Sequence, residues 1–310
     1  MRLFIPDIPM PDLAAQEAAR EHLRHQPALG TLGVLAVRLA AMTGSLPLTF
    51  PRKGVVVLAA DHGHIPLGEE TAAEGNAATH ILARQAGATV TTVDIGLRRP
   101  WPPAPHHHSY NVAKGTRHMG HTPALGIAEV HDALTVGMNI ASQEIAQGVD
   151  VLAVGSASAG GEIAAVAVAA VLLNQPPAAL LPENSPHLAL ISEAIALHQP
   201  NPQDVLDVLR CVGGLELAGM AGVILGAAAG RVPIVLDDLA SAVAALVASE
   251  LAFQVRPYLI AGHATAPLVL RRLGLRPLLD VGVENGRATS AILAFHLIEA
   301  AARLHNELVS

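Results

Sequence analysis

Val212-Gly213-Gly214-Leu215-Glu216-Leu217-Ala218-Gly219-Met220 leads into Val232-Pro233-Ile234-Val235-Leu236-Asp237-Asp238 and then Tyr258-Leu259-Ile260-Ala261-Gly262-His263, and the reading of this stretch decides the fold. A glycine-spaced, almost charge-free helix is followed by two strand-like apolar runs, each ending abruptly in ionisable residues. A strand buried on both faces must be continuously apolar, so its first polar side chain marks where it leaves the sheet. The carboxyl ends of parallel strands are where open α/β sheets bind ligands.

The same pattern recurs upstream. Val55-Val56-Val57-Leu58-Ala59-Ala60 runs into Asp61-His62-Gly63, Val90-Thr91-Thr92-Val93 into Asp94-Ile95-Gly96, and Val151-Leu152-Ala153-Val154 into Gly155-Ser156. Five strands are therefore expected to end on one polar rim. After an irregular start, the apolar pattern predicts helices over 29–42, 69–85, 127–147, 162–173, 188–197, 215–229, 239–252, 267–273 and 289–308. Residues 98–123 form a proline- and histidine-rich connection, Pro200-Asn201-Pro202 separates two helices, and a short strand is expected at Leu278-Leu279. Alternating β and α units with right-handed crossovers give an α/β fold with a doubly wound, Rossmann-like parallel sheet.

Composition narrows the function classes. Half of the 310 residues are apolar, which suffices for a large core and argues against disorder. A formal charge of −7 without a basic block argues against nucleic acid or an anionic membrane as partner, and lysine occurs only at Lys53 and Lys114. The apolar runs fall short of the roughly twenty residues a membrane-spanning helix needs. Cys211, the single cysteine, lies in an apolar context and reads as an inert core thiol. The start, Met1 to Asp7, lacks the apolar core of a signal peptide, so a cytoplasmic location is expected.

Many short segments occur in an order that resembles the nicotinate-nucleotide:5,6-dimethylbenzimidazole phosphoribosyltransferase family. They include Phe4-Ile5-Pro6-Asp7-Ile8-Pro9, Leu35-Ala36-Val37-Arg38-Leu39-Ala40, Ala60-Asp61-His62-Gly63, Gln85-Ala86-Gly87-Ala88 and Ile145-Ala146-Gln147-Gly148-Val149-Asp150. Further on come Ile195 to Pro202, the helix start at Gly213 to Gly222, Leu236-Asp237, Arg256-Pro257-Tyr258-Leu259-Ile260 and the closing Ala300 to Asn306. The resemblance covers nearly the whole chain. It implies a large α/β domain (46–287), a small helical domain built from both ends (1–45 and 288–310), and a homodimer; a heteromer with a paralogue is the partner expected if the chain is non-catalytic. It also implies transfer of a phosphoribosyl group from nicotinate mononucleotide, or a related nucleotide, to an aromatic base. No cofactor is expected.

The chain departs from the family pattern at each part of the site. The family's catalytic glutamate lies in a Leu-Gly-Glu-Gly-Ser-Gly turn, whereas here the turn reads Val283-Glu284-Asn285-Gly286-Arg287-Ala288-Thr289-Ser290, with Arg287 at the catalytic position. An arginine keeps its proton at any working pH and cannot be a general base. Glu284 is the substitute base if the turn is rebuilt, and otherwise a solvated or helix-start charge. After the third strand, the family's Gly-Glu-x-Gly-x-x-Asn-Thr-Thr is replaced by Gly155-Ser156-Ala157-Ser158-Ala159-Gly160-Gly161-Glu162, whose small residues and helix-start amides still suit an anion. Ser156 and Ser158 are expected to cap the following helix. The phosphate loop is replaced by Ala178 to His187, with Glu183 adding repulsion, and the segment after Gly63 is about a dozen residues shorter than the resemblance implies.

The expected ligand-binding set is Asp61, His62, Gly155, Ser156, Ser158, Gly160, Gly161, Glu162, Asp237, Asp238, His263 and Arg287, with no metal among them. Asp61, His62 and Asp237 also suit a framework role, tying loops together by hydrogen bonds. A metal site from two histidines and a carboxylate, with His62, His64 and His263 expected at strand ends, is a second reading of the rim. His106-His107-His108 with His118 and His121 reads either as a solvated loop or as a metal-binding or pH-sensitive element. Two functions follow: a divergent phosphoribosyltransferase, or a non-catalytic homologue acting as partner subunit or small-molecule binder.

Overall fold

The computed structural model describes residues 3–24, 29–69, 71, 77–283 and 286–308. At its centre is an all-parallel sheet of β1 (Lys53–Ala60), β2 (Ala88–Gly96), β3 (His107–Ser109), β4 (Val151–Ala157), β5 (Ile234–Leu236) and β6 (Leu259–Ala261). The strands lie in the order β3-β2-β1-β4-β5-β6, which reverses between β1 and β4. A doubly wound sheet opens a crevice at such a reversal, outside the carboxyl ends of its strands. Register aligns those ends: Leu58 pairs with Ser156, Val154 with Leu236, and Leu236 with Ala261. The apolar runs are buried as a two-faced strand requires, and all eight residues of β1 lie inside. Even Lys53 is buried, its Nζ held 2.6 Å from Glu299 Oε1.

Helices flank the sheet, and the glycine spacing quoted first is explained by two of them, α4 (Ile127–Ala146) and α8 (Leu215–Ala229). A Cβ on Gly137 would stand 1.9 Å from the Gly219 carbonyl oxygen, and one on Gly222 would stand 2.1 Å from that of Leu134. The two backbones therefore touch, and α8 is buried from Leu215 to Ala228. At the chain ends, α1 (Leu13–His22), α2 (Gly30–Thr43) and α11 (Thr289–Glu307) form a helical cluster in which α2 packs on both of the others. Arg38 donates to the Leu259 carbonyl at 2.7 Å and Tyr258 to that of Pro9 at 2.8 Å, so these helices are tied to the sheet. The remaining helices are α3 (Ala77–Ala86), α5 (Gly161–Leu173), α6 (Leu188–His198), α7 (Val205–Val212), α9 (Leu239–Leu251) and α10 (Pro267–Leu273). No described helix is long and apolar enough to cross a membrane.

Four expectations change. The irregular start contains α1, capped by the Asp12 carboxylate accepting from Ala15 N at 2.8 Å. The histidine-rich connection supplies an edge strand, β3, paired with β2 from Thr92 to Asp94. The strand at Leu278-Leu279 shrinks to a single bridge between His263 and Leu279. The helix expected from Glu69 is seen from Ala77, and neither Glu69 nor Thr71 is helical; Glu70 and 72–76 lie outside the described residues. Polar ties hold Thr71 out of a helix: its N–H reaches Asp61 Oδ1 at 2.8 Å and its hydroxyl the Ala60 carbonyl at 3.1 Å.

Candidate active site

A cavity of about 1060 Å³ opens outside the carboxyl ends of β4, β5 and β6. Its charged and hydroxylated wall comes from separate elements. Ser156 lies at the end of β4 and Ser158 just beyond it, Glu162 sits in the first turn of α5, Asp238 follows β5, Thr265 follows β6, and Arg287 precedes α11. Ala179 to Pro182 close another side, around the short 3-10 turn Pro177–Ala179. Of the residues expected to bind ligand, Ser156, Ser158, Glu162, Asp238 and Arg287 line this cavity together. Asp61, His62, Gly155, Gly160, Gly161, Asp237 and His263 do not. Glu284 lies outside the described residues.

Arg287 is held by its backbone. Arg287 and Ala288 have φ of 58° and 66°, left-handed values that cost a residue with a Cβ about 1–2 kcal/mol each and are kept only where the surroundings dictate them. Three sets of contacts dictate them here. Thr79 of α3 donates to the Arg287 carbonyl at 2.9 Å. Gly155 of β4 approaches so closely that a Cβ on it would stand 2.3 Å from Ala288 N. The buried Asp237 carboxylate accepts the Ser290 N–H at 2.7 Å, the Ser290 hydroxyl at 2.5 Å and the Ala291 N–H at 2.9 Å. A carboxylate at the first turn of α11 also meets the positive end of the helix. Burial raises the proton affinity of Asp237, and these bonds oppose that rise.

Asp238 points the other way. Its Oδ1 accepts Ser241 N at 2.9 Å and so caps α9, while the Ser241 hydroxyl accepts Asp238 N. It is half-buried, and its Oδ2 would stand 3.1 Å from a Cβ on Gly286. Burial first, and then the adjacent Asp237, raise its pKa to about 6. Arg287 loses some proton affinity through burial but remains a cation.

The two serines do not cap α5, contrary to expectation, because Gly160 occupies the cap with a left-handed φ of 80°. Ser158 instead accepts Ala60 N at 3.1 Å and stitches the end of β4 to that of β1. Asp61 is likewise a tie: its Oδ2 accepts Arg98 N and its Oδ1 accepts Thr71 N, both at 2.8 Å. Thr71 also accepts Ala159 N at 2.8 Å and Trp101 Nε1 at 2.9 Å, through its hydroxyl and carbonyl respectively.

Behind this wall lies a pair that the sequence did not single out. His62 Nε2 and Glu216 Oε1 are 3.0 Å apart, and both side chains are fully buried. His62 Nδ1 and Glu216 Oε2 find no hydrogen-bond partner among the described residues. The signal was present in the sequence: Glu216 is the one charge within an otherwise apolar helix, and such a charge needs a buried partner. His64 lies beside His62, the rings tilted by 42°, and hydrogen-bonds the Gly160 carbonyl through Nε2 at 3.2 Å, and its pKa is pushed down to about 3 by burial and then by His62. It is neutral at any physiological pH.

The histidine reading of the rim separates into parts. His263 Nε2 accepts Val281 N at 3.0 Å, so it ties a loop away from His62 and His64. His118 stacks on His121 with ring centres 4.3 Å apart, while His107 lies beside Trp101. Among the described residues no three histidine, cysteine or acidic side chains converge as metal ligands. Cys211 is buried, and burial raises its thiol. His187 is exposed at the start of α6 and does not line the cavity.

Comparison with known proteins agrees with this architecture. The family model DBI_PRT, a phosphoribosyltransferase, matches residues 8–310. The nicotinate-nucleotide–dimethylbenzimidazole phosphoribosyltransferase of Chloroflexus aggregans is 39% identical over 97% of this chain and 93% of its own length. That of Desulforudis audaxviator is 36% identical over 96% of this chain and 93% of its own. The crystal structure of the enzyme so named from Thermus thermophilus superposes with a TM-score of 0.88 at 33% identity, covering 96% of this chain and 97% of that one. The chain therefore belongs to the nicotinate-nucleotide–dimethylbenzimidazole phosphoribosyltransferase family.

Proposed function

We propose that this chain is a divergent phosphoribosyltransferase whose cavity transfers phosphoribosyl from nicotinate mononucleotide, or a closely related nucleotide, to a flat aromatic base. The observation that carries this reading is the cavity itself: about 1060 Å³ at the carboxyl edge of the sheet, beside its switch point, with Arg287, Glu162 and Asp238 in the lining. That volume suits a nucleotide and a bicyclic base together. A cation together with carboxylates matches a donor that carries a phosphate and a carboxylate and an acceptor that carries an N–H. The proposal includes a cytoplasmic, dimeric protein, with a small domain formed by residues 1–45 and 288–310.

Arg287 supports the second reading, a homologue that binds without turning over, because it stands where the family resemblance puts the catalytic glutamate. Calorimetric titration with nicotinate mononucleotide and dimethylbenzimidazole, followed by chromatographic detection of nicotinate and the ribotide, decides between them. Release of nicotinate only when both substrates are present supports the enzyme. Binding without release supports the non-catalytic reading, and absence of binding removes both for these ligands.

A further inference from the structure

We propose that Asp238 is the proton acceptor of the transfer, taking the place of an acid on the turn before α11. This rests on the reading that the cavity carries out phosphoribosyl transfer. Three observations lead to it. Asp238 is on the cavity wall, and one of its oxygens is fixed by Ser241 N at 2.9 Å, which orients the carboxylate. Its second oxygen abuts Gly286, the residue immediately before Arg287, so the carboxyl group stands beside the position from which the family's acid is missing. It is half-buried, open enough to meet a ligand and sheltered enough to hold a proton.

Among the described residues, the charged groups around it are Asp237 after β5, Arg287 on the turn before α11 and Glu162 on α5. Asp237 is committed to Ser290 and Ala291, and Arg287 has no lone pair to offer. Burial first, and then the nearby Asp237, bring the proton affinity of Asp238 into the operating range of a general base. Among the described residues, Glu162 is the other carboxylate on the wall.

In the step assigned to Asp238, a ring nitrogen of the acceptor bonds to the anomeric carbon through its lone pair. The bond from that carbon to the nicotinate ring nitrogen breaks, and its electron pair neutralises the pyridinium. The N–H proton on the acceptor's other ring nitrogen passes to Asp238 Oδ2 and then to water. Atoms and charge balance without any further reactant.

The test is the pH profile of kcat/KM for the wild-type chain and for Asp238→Asn, Glu162→Gln and Glu284→Gln, with nicotinate mononucleotide and dimethylbenzimidazole. Asparagine still caps α9, so Asp238→Asn keeps the helix start and removes only the proton acceptor. The expected result is a wild-type rate that falls tenfold per pH unit below about 6. Asp238→Asn is expected to lower kcat about 100-fold or more, to leave KM near its wild-type value and to abolish that limb, with Asp238→Glu recovering part of the rate. The two glutamine variants are expected to keep the limb. A wild-type enzyme that turns over while Asp238→Asn retains the limb overturns the assignment and leaves the proposed function intact. Binding of both substrates without turnover at any pH overturns both.

Discussion

Asp237 and Ser290, fifty-three positions apart, are joined by two hydrogen bonds in which the carboxylate of one accepts both the amide and the hydroxyl of the other. The end of a strand thereby fixes the start of the last helix, and with it the left-handed turn that carries Arg287. Asp237→Ala removes the acceptor for buried N–H and O–H groups, and should cost about 3 kcal/mol of unfolding free energy. Urea denaturation checks this. A loss below about 1 kcal/mol would mean that the turn is held without Asp237.

The contact between α4 and α8 predicts a second large effect. A methyl group on Gly222 would press on the Leu134 carbonyl oxygen at 2.1 Å, and backbone cannot rotate away as a side chain does. Gly222→Ala is expected to destabilise by about 3 kcal/mol or more, despite the better helix propensity of alanine, which favours it by only about 1 kcal/mol. Thermal denaturation of the variant distinguishes the two signs.

His62 and Glu216 should show strong coupling. Replacing either by leucine leaves a fully buried polar partner alone, at a cost of about 3 kcal/mol. Replacing both should recover much of that loss, giving an interaction energy of about 1–3 kcal/mol in a double-mutant cycle. Strict additivity would show that the pair does not interact.

Asp150 predicts a pH-dependent gain. Burial raises its carboxyl to about 6, against hydrogen bonding from Arg52 and the nearby Lys53 charge. Its unfolded value is near 3.9, so the folded state binds the extra proton between those values and stability is lost as pH rises through that window. Above about 6 the penalty is complete. Asp150→Asn should therefore be more stable than the wild type by about 1 kcal/mol at pH 8, after discounting for a half-buried site, and should lose that advantage at pH 4. Denaturant titrations at the two pH values measure it.

The sheet was legible because it obeys one physical rule: Val55 to Ala60 and Val151 to Val154 are apolar throughout and become polar where they leave the core. The helices at 215–229 and 267–273 are found at those boundaries because glycine and proline bound them. Beyond that, one-dimensional patterning fails where partners are distant. Glu216 calls for a partner, but nothing near it announces His62, 154 positions earlier. Ser158 reads as a cap for its own helix, although its oxygen serves Ala60 across the sheet. Glycine supplied the cap of α5, since the left-handed conformation there suits it better than serine. Asp237 and Asp238 look alike in sequence, yet the chain turns between them, so one faces α11 and the other caps α9 beside the cavity.

Two threonines hold the described residues on either side of the segment that follows β1. Thr71 is pinned to Asp61, Ala60 and Ala159, and Thr79 to the carbonyl of Arg287. They act as moorings on either side of the intervening residues, one beside the ends of β1 and β4 and the other on the turn that carries Arg287. Length between moorings is a weakly constrained quantity, because closing a longer loop costs only about 0.6 kcal/mol per doubling. Both ends of that stretch are therefore set by hydrogen bonds to the framework: Thr71, itself on the cavity wall, through its N–H and hydroxyl, and Thr79 through the hydroxyl that reaches the Arg287 carbonyl.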